Sequence, residues 1–121
     1  MNKHRQNPFI HAMRGILETA RTERNFKIHL ICAVVAVAAG SWIHLSTSDW
    51  LWITFCIALV FALELLNTAI EAVVDLLSPA SHPFAKKAKD AAAGAVLIGA
   101  IFALIVGASI FLPKLGHFFF D

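Results

Sequence analysis

Charge is scarce in this sequence: Asp, Glu, Lys and Arg make up 15% of its 121 residues, against 59% hydrophobic ones. Soluble domains carry about 25% charged residues, so this composition excludes an ordinary soluble fold. A soluble chain of this length buries about two-thirds of its surface. Here three long apolar stretches require burial on every side, which lipid supplies. Cysteine is nearly absent, and Cys32 and Cys56 both sit inside apolar runs, which excludes a disulfide framework and leaves them as ordinary buried thiols. No GxxxxGK[ST] loop and no kinase glycine loop is present, so any nucleotide must be held by another device. No small-residue cleavage site follows the first apolar run, and that run is expected to stay in the mature protein.

What is present is three apolar runs of membrane-spanning length, about 28–45, 50–71 and 91–112. Each approaches the ~20 residues that cross a ~30 Å hydrocarbon layer at ~1.5 Å per residue. The chain is too short for a closed barrel, and backbone groups must pair within lipid, so the expected fold is an all-α membrane protein in one domain. Trp42, Trp50 and Trp52 cluster around Ser46-Thr47-Ser48-Asp49, as amphipathic rings do at a membrane interface. Ahead of the first span, Phe9, Ile10, Met13, Ile16, Leu17 and Ala20 recur at helical spacing with Arg14, Glu18 and Arg21 between them. With Pro8 at its start, this pattern predicts an amphipathic surface helix over about 8–24.

The positive residues set the orientation. Lys3, Arg5, Arg14, Arg21, Arg24 and Lys27 precede the first span, Lys86, Lys87 and Lys89 lie between the second and third, and only Lys114 follows. The turn between the first two spans has none. By the positive-inside tendency, the amino terminus and the 76–90 loop face the cytoplasm. The same distribution accounts for the formal charge of +2, so nucleic acid is not an expected partner.

Within the second span, Glu64 stands where more hydrocarbon is expected, ~21 Å along the helix from Trp50. A charge near a helix centre costs ~2.5–3.5 kcal/mol on insertion scales, so an intramembrane carboxylate is a functional candidate. Asn67, Thr68, Glu71 and Asp75 follow at steps that place all five on one helix face. Hydrogen bonding between subunits accounts for Asn67 and Thr68. It does not account for Glu64 with Glu71, because packing is weakened by like charges. A divalent cation among these oxygen ligands relieves the repulsion, and beside a phosphate substrate that cation is magnesium. Glu23, just before the first span, and Lys89-Asp90, just before the third, lie at the same membrane level. These are the parts phosphoryl transfer requires. In span three, Gly99, Ala103 and Gly107 recur at steps of four, which lets helices approach closely. A noncatalytic ion-carrier subunit is the alternative of another class, with Glu64 exchanging protons. Against it, span one offers only His29 and His44 and span three offers no polar path.

The run from Glu64 to Asp75, Glu-Leu-Leu-Asn-Thr-Ala-Ile-Glu-Ala-Val-Val-Asp, followed by Ala88-Lys-Asp-Ala-Ala-Ala-Gly-Ala-Val96, resembles the signature of the bacterial integral-membrane diacylglycerol kinase family. The stretch His11–Phe26 and the ending Phe111-Leu-Pro-Lys-Leu115 resemble its Gram-positive branch, whose members are undecaprenol kinases. The resemblance covers nearly the whole chain. It implies a homotrimer in the bacterial cytoplasmic membrane, with active sites shared between neighbours and facing the cytoplasm. It further implies ATP- and Mg2+-dependent phosphorylation of undecaprenol, with diacylglycerol as the alternative alcohol. By motif position, Glu64 corresponds to the general base, and Glu23 and Glu71 to the carboxylates of the magnesium-ATP complex. Asn67, Asp75, Lys89 and Asp90 match further positions around the nucleotide. The resemblance also implies that His11 stands where other members carry an aromatic near the adenine, and that His82 lies in the loop that approaches the phosphates.

Overall fold

The computed structural model describes residues 7–120. They form four helices and no strand: α1 (Pro8–Thr22), α2 (Arg24–Ile43), α3 (Thr47–Leu77) and α4 (Pro83–Phe120). The last three are each long and apolar enough to cross a membrane.

Helix α1 begins where Asn7 accepts a hydrogen bond from the Phe9 N–H at 2.9 Å, with Pro8 in the first turn. It stops at Thr22, because Glu23 takes an extended conformation, φ −99° and ψ 117°. The Glu23 N–H still donates to the Thr19 carbonyl at 2.9 Å, and the Glu23 carbonyl accepts from the Lys27 N–H at 3.2 Å. One non-helical residue thus both closes α1 and opens α2, so the apolar residues of α1 and the span that follows need not share an axis. Phe9, Ile10, Met13, Ile16 and Leu17 are exposed on α1.

Helix α2 ends at His44, a non-glycine residue in the left-handed region at φ 57°. The turn is completed by Ser46, whose Oγ accepts from the Asp49 N–H at 3.1 Å and caps α3. The chain folds back so tightly that a Cβ on Gly40 would lie 2.7 Å from Leu45 Cδ1 and 2.9 Å from Trp50 Cη2. Beyond it, Leu45, Ile53 and Ile110 form a buried cluster joined by Trp50, Val106 and Phe111. Lys114 Nζ, 3.3 Å from Asp49 Oδ2, ties the far end of α4 to the start of α3.

Helices α3 and α4 make the most extensive pairing in the fold. A Cβ on Gly99 would lie 2.6 Å from Leu63 Cδ1, so this glycine lets α4 accept the Leu63 side chain. Gly107 has open space around it and plays no such part within one protomer. At ~1.5 Å per residue, the 31 residues of α3 span ~46 Å and the 38 of α4 ~57 Å, well beyond a ~30 Å hydrocarbon layer. Helix α4 continues past the apolar stretch, through Pro113 to Phe120. Of the two free cysteines, Cys56 is buried and Cys32 lies on the exposed face of α2, so the expectation of two buried thiols holds within the protomer only for Cys56. Ile31, Val34, Val35, Leu104 and Ile105 are all more than half exposed, which suits a lipid or protein neighbour and not water.

Gly40→Ala presses a methyl against a rigid indole and is expected to cost about 1–3 kcal/mol, the usual range for overpacking. Unfolding of the purified protein in mixed micelles measures it, and an unchanged midpoint would contradict the packing described.

Candidate functional site

The polar face expected on α3 exists and runs from deep burial to exposure along the helix. Glu64 is 2% exposed, as deeply buried as any large side chain among the described residues, and Asn67 is 8% exposed. Thr68 and Glu71 are half-buried, and Asp75 is exposed. The gradient follows from the neighbouring helices: α2 packs against α3 around Glu64, with His29 beside the carboxylate and Phe26 stacked on Phe61, while Asp75 stands near the end of α3 with its side chain largely open.

Three elements close around this face. From α2, His29 Nε2 lies 3.5 Å from Glu64 Oε1, an ion-pair distance that is too loose to give Oε1 a hydrogen bond. Phe26, buried at the first turn of α2, stacks on Phe61 of α3 with ring centroids 4.9 Å apart. Half-buried Glu23 stands at the α1–α2 break. From α4, Lys89 Nζ reaches Asp75 Oδ1 at 2.5 Å. On α3 itself, Asn67 Nδ2 donates to Glu71 Oε1 at 3.2 Å.

The structure therefore gathers Glu23, Glu64, Asn67, Glu71, Asp75 and Lys89 at one end of the helix bundle. Asp90 lies on the next turn face, paired with Lys86 at 2.6 Å. His82 caps α4, its Nδ1 accepting from the Phe84 N–H at 3.1 Å while its ring stacks on Phe84. His11 is an exposed residue of α1. His29 was legible only as a polar residue at the end of span one. Its depth was the available signal. It lies ~22 Å before the turn at His44 and Glu64 ~27 Å after Ser46, so two antiparallel helices bring them to nearly one level.

Glu64 Oε1 and Asn67 Oδ1 are buried without a hydrogen-bond partner. Buried polar atoms are almost always satisfied, so two orphans on one face mark a place completed by something else. The surrounding donors are oxygen ligands, which fits magnesium. Among the described residues no three His, Cys, Asp or Glu side chains converge to hold a metal ion by themselves. Magnesium is ordinarily held by one or two carboxylates, with phosphate and water filling its remaining positions, so the carboxylates at this end of the bundle fit it by chemistry without forming a closed cage.

Three apolar spans with an acidic and basic cluster at one bundle end define a multi-pass membrane protein with a polar site at one end of its helices. A model of the prokaryotic diacylglycerol kinase family matches residues 10–111, and the chain belongs to that family of lipid kinases. It is 54% identical over 107 residues to a Bacillus subtilis protein named undecaprenol kinase, covering 88% of this chain and 87% of that one. It is 45% identical over 108 residues to a Synechocystis diacylglycerol kinase, covering 88% of this chain and 62% of that one. An Escherichia coli diacylglycerol kinase is 30% identical over 95 residues, 78% of each chain.

The Asp75 and Lys89 side chains are 64% and 41% exposed, and pairs so placed add little to stability. Asp75→Asn and Lys89→Met are each expected to change unfolding free energy by less than about 1 kcal/mol. A larger loss, measured in the same micelle assay, would make the pair a structural clasp.

Proposed function

We propose that this protein phosphorylates undecaprenol, transferring the γ-phosphoryl group of ATP to the alcohol at the cytoplasmic face of a bacterial membrane. The observation that carries the reading is Glu64, a carboxylate buried at lipid depth on the same face as Asn67, Glu71 and Asp75. Similarity to the Bacillus subtilis protein favours undecaprenol. The family's description and the Synechocystis and Escherichia coli relatives favour diacylglycerol as the second reading.

In the proposed reaction Glu64 accepts the proton of the lipid hydroxyl, whose oxygen bonds to the γ-phosphorus as the bond from that phosphorus to the β–γ bridging oxygen breaks. ADP leaves with that oxygen, and the proton stays on Glu64 until it passes to solvent. Glu23 and Glu71 would hold magnesium with the nucleotide, and the metal supplies charge neutralisation on the phosphates. Lys89, half-buried on α4, offers a compact positive charge that exchanges Asp75 for phosphate oxygen. Asn67, Asp75, Asp90, His82 and His11 complete the nucleotide's surroundings in this reading. The buried position of Glu64 suits an acceptor delivered from lipid, because an alcohol dissolved in the bilayer reaches it without crossing water.

Helix α1 is proposed to lie on the inner leaflet, which accounts for its exposed Phe9, Ile10, Met13, Ile16 and Leu17 beside Arg14 and Arg21. A homotrimer with sites shared between neighbours accounts for the unpartnered Glu64 and Asn67 oxygens and for the exposed apolar faces of α2 and α4.

The test is purified protein in bilayers with labelled ATP and magnesium, offered undecaprenol and diacylglycerol in parallel. The expected outcome is transfer to both or to undecaprenol alone, with undecaprenol preferred about tenfold or more in kcat/KM. That ratio corresponds to ~1.4 kcal/mol of transition-state stabilisation. Glu64→Gln should lower kcat about a hundred- to ten-thousandfold with nucleotide binding intact. Glu23→Gln or Glu71→Gln should instead raise the KM for magnesium-ATP. Transfer to no lipid alcohol refutes the reading, and full activity of Glu64→Gln refutes the base assignment.

A further inference from the structure

We propose that His29 is a positioning residue for Glu64, holding one carboxylate oxygen through Nε2 so that the other faces the lipid hydroxyl; this rests on the reading of Glu64 as the base. Glu64 is 2% exposed and its Oε1 has no hydrogen-bond partner, yet a carboxylate in such a place needs a donor. His29 stands within ion-pair distance of that oxygen and carries an N–H to offer, while the Asn67 amide on the same face donates to Glu71 instead. The Nε2 of His29 stands 3.5 Å from Oε1, and its side chain is 22% exposed. Catalytic hydrogen bonds are often this loose before substrate binds and tighten in the reactive complex.

The geometry follows from the helices. Each Cα–Cβ bond tilts toward the amino end of its helix. On antiparallel α2 and α3, His29 therefore leans toward the end of the bundle that carries Glu23, while Glu64 leans the opposite way, and the two tips meet. Phe26, one turn before His29, stacks on Phe61, one turn before Glu64, and fixes the spacing of the two helices beside the pair. The imidazole thus has a defined place, which a residue of generic packing lacks. Nε2 serves as donor when the ring carries its proton there.

A base whose carboxylate plane is free to rotate presents its accepting oxygen to the hydroxyl for only part of the time. Fixing one oxygen by a hydrogen bond to the charged group removes that freedom before the substrate arrives. The residue acts through Glu64 and touches neither nucleotide nor alcohol. Its loss therefore falls on kcat and leaves the affinity for magnesium-ATP unchanged.

The experiment compares wild type, His29→Leu, His29→Gln, His29→Asn and Glu64→Gln, reconstituted in bilayers with undecaprenol and magnesium-ATP. Gln places an amide N–H near the position of Nε2, whereas Asn falls short of it. His29→Leu is expected to lower kcat about ten- to a hundredfold, the loss of a hydrogen bond to a charged group, with KM for ATP within about twofold of wild type. His29→Gln should recover most of that loss and His29→Asn little of it. Equal rates for Gln and Asn overturn the inference, and so does a wild-type kcat in His29→Leu. A rise in the KM for ATP that matches the fall in kcat also overturns it, because that is the signature of disturbed packing. Should His29→Leu fail to assemble, the Gln and Asn pair decides alone. An inactive Glu64→Gln beside a fully active His29→Leu removes this inference and leaves the base assignment standing. An active Glu64→Gln removes both.

Discussion

A carboxylate kept at the apolar edge of a bilayer has lost its water, and every group near Glu64 can be understood by what it does about that loss. Low dielectric makes the uncompensated charge costly and, by the same physics, makes each remaining interaction stronger. His29 stands beside the carboxylate, and the Phe26–Phe61 stack packs α2 on α3 one turn away. On the α4 side, Gly99 admits Leu63, the neighbour of Glu64 in sequence, and this brings the third span close to the site. The fold at this end is a shell around one acidic group. At the opposite end, around Gly40 and Trp50, it is an ordinary apolar core.

The overhang of α3 and α4 turns that shell into an interface between two solvents. Glu64 is almost fully buried, and Asp75, three helical turns further on the same face, is exposed and paired with Lys89 across the two helices. A kinase acting on a membrane alcohol has to bring a water-soluble, highly charged nucleotide against a group that never leaves lipid. One straight helix whose polar face grades from dry to wet meets that demand without a mobile lid. The break at Glu23 adds a further carboxylate at this end of the bundle, because a residue outside both helices is placed where α1 turns into α2.

Much of this was legible in the sequence, for reasons of periodicity and cost. Long apolar runs have one structural solution in lipid, so the three spans could be read from hydropathy, and the steps of three and four from Glu64 to Asp75 placed those side chains on one face. Boundaries were less legible where capping decides them. Glu23, extended, ends α1 at Thr22, two residues short of the expected bound at about 24, and α4 carries on through Pro113 to Phe120, past the bound near 112 read from hydropathy, with Lys114 paired to Asp49. The importance of Gly40 was hidden, since only the return of Trp50 across the turn reveals it. The small residues of span three were read as one packing stripe, yet within the protomer Gly99 meets α3 and Gly107 meets nothing. His29 escaped notice because a histidine at a span end is unremarkable until the level of the facing helix is counted.

The choice between two alcohols lies in a different part of the molecule from the chemistry. In the proposed reaction a base, a pair of acidic ligands and a lysine respond to a hydroxyl and a nucleotide, and those are the same for an isoprenoid alcohol and a glycerolipid. What differs is apolar, and apolar contacts discriminate weakly, by about 0.8 kcal/mol for each buried methylene. Preference must then accumulate from several apolar contacts. A scaffold built this way can change its alcohol by exchanging outward-facing side chains, with the acidic face left as it is. That is the arrangement expected when one family includes relatives named for different lipids.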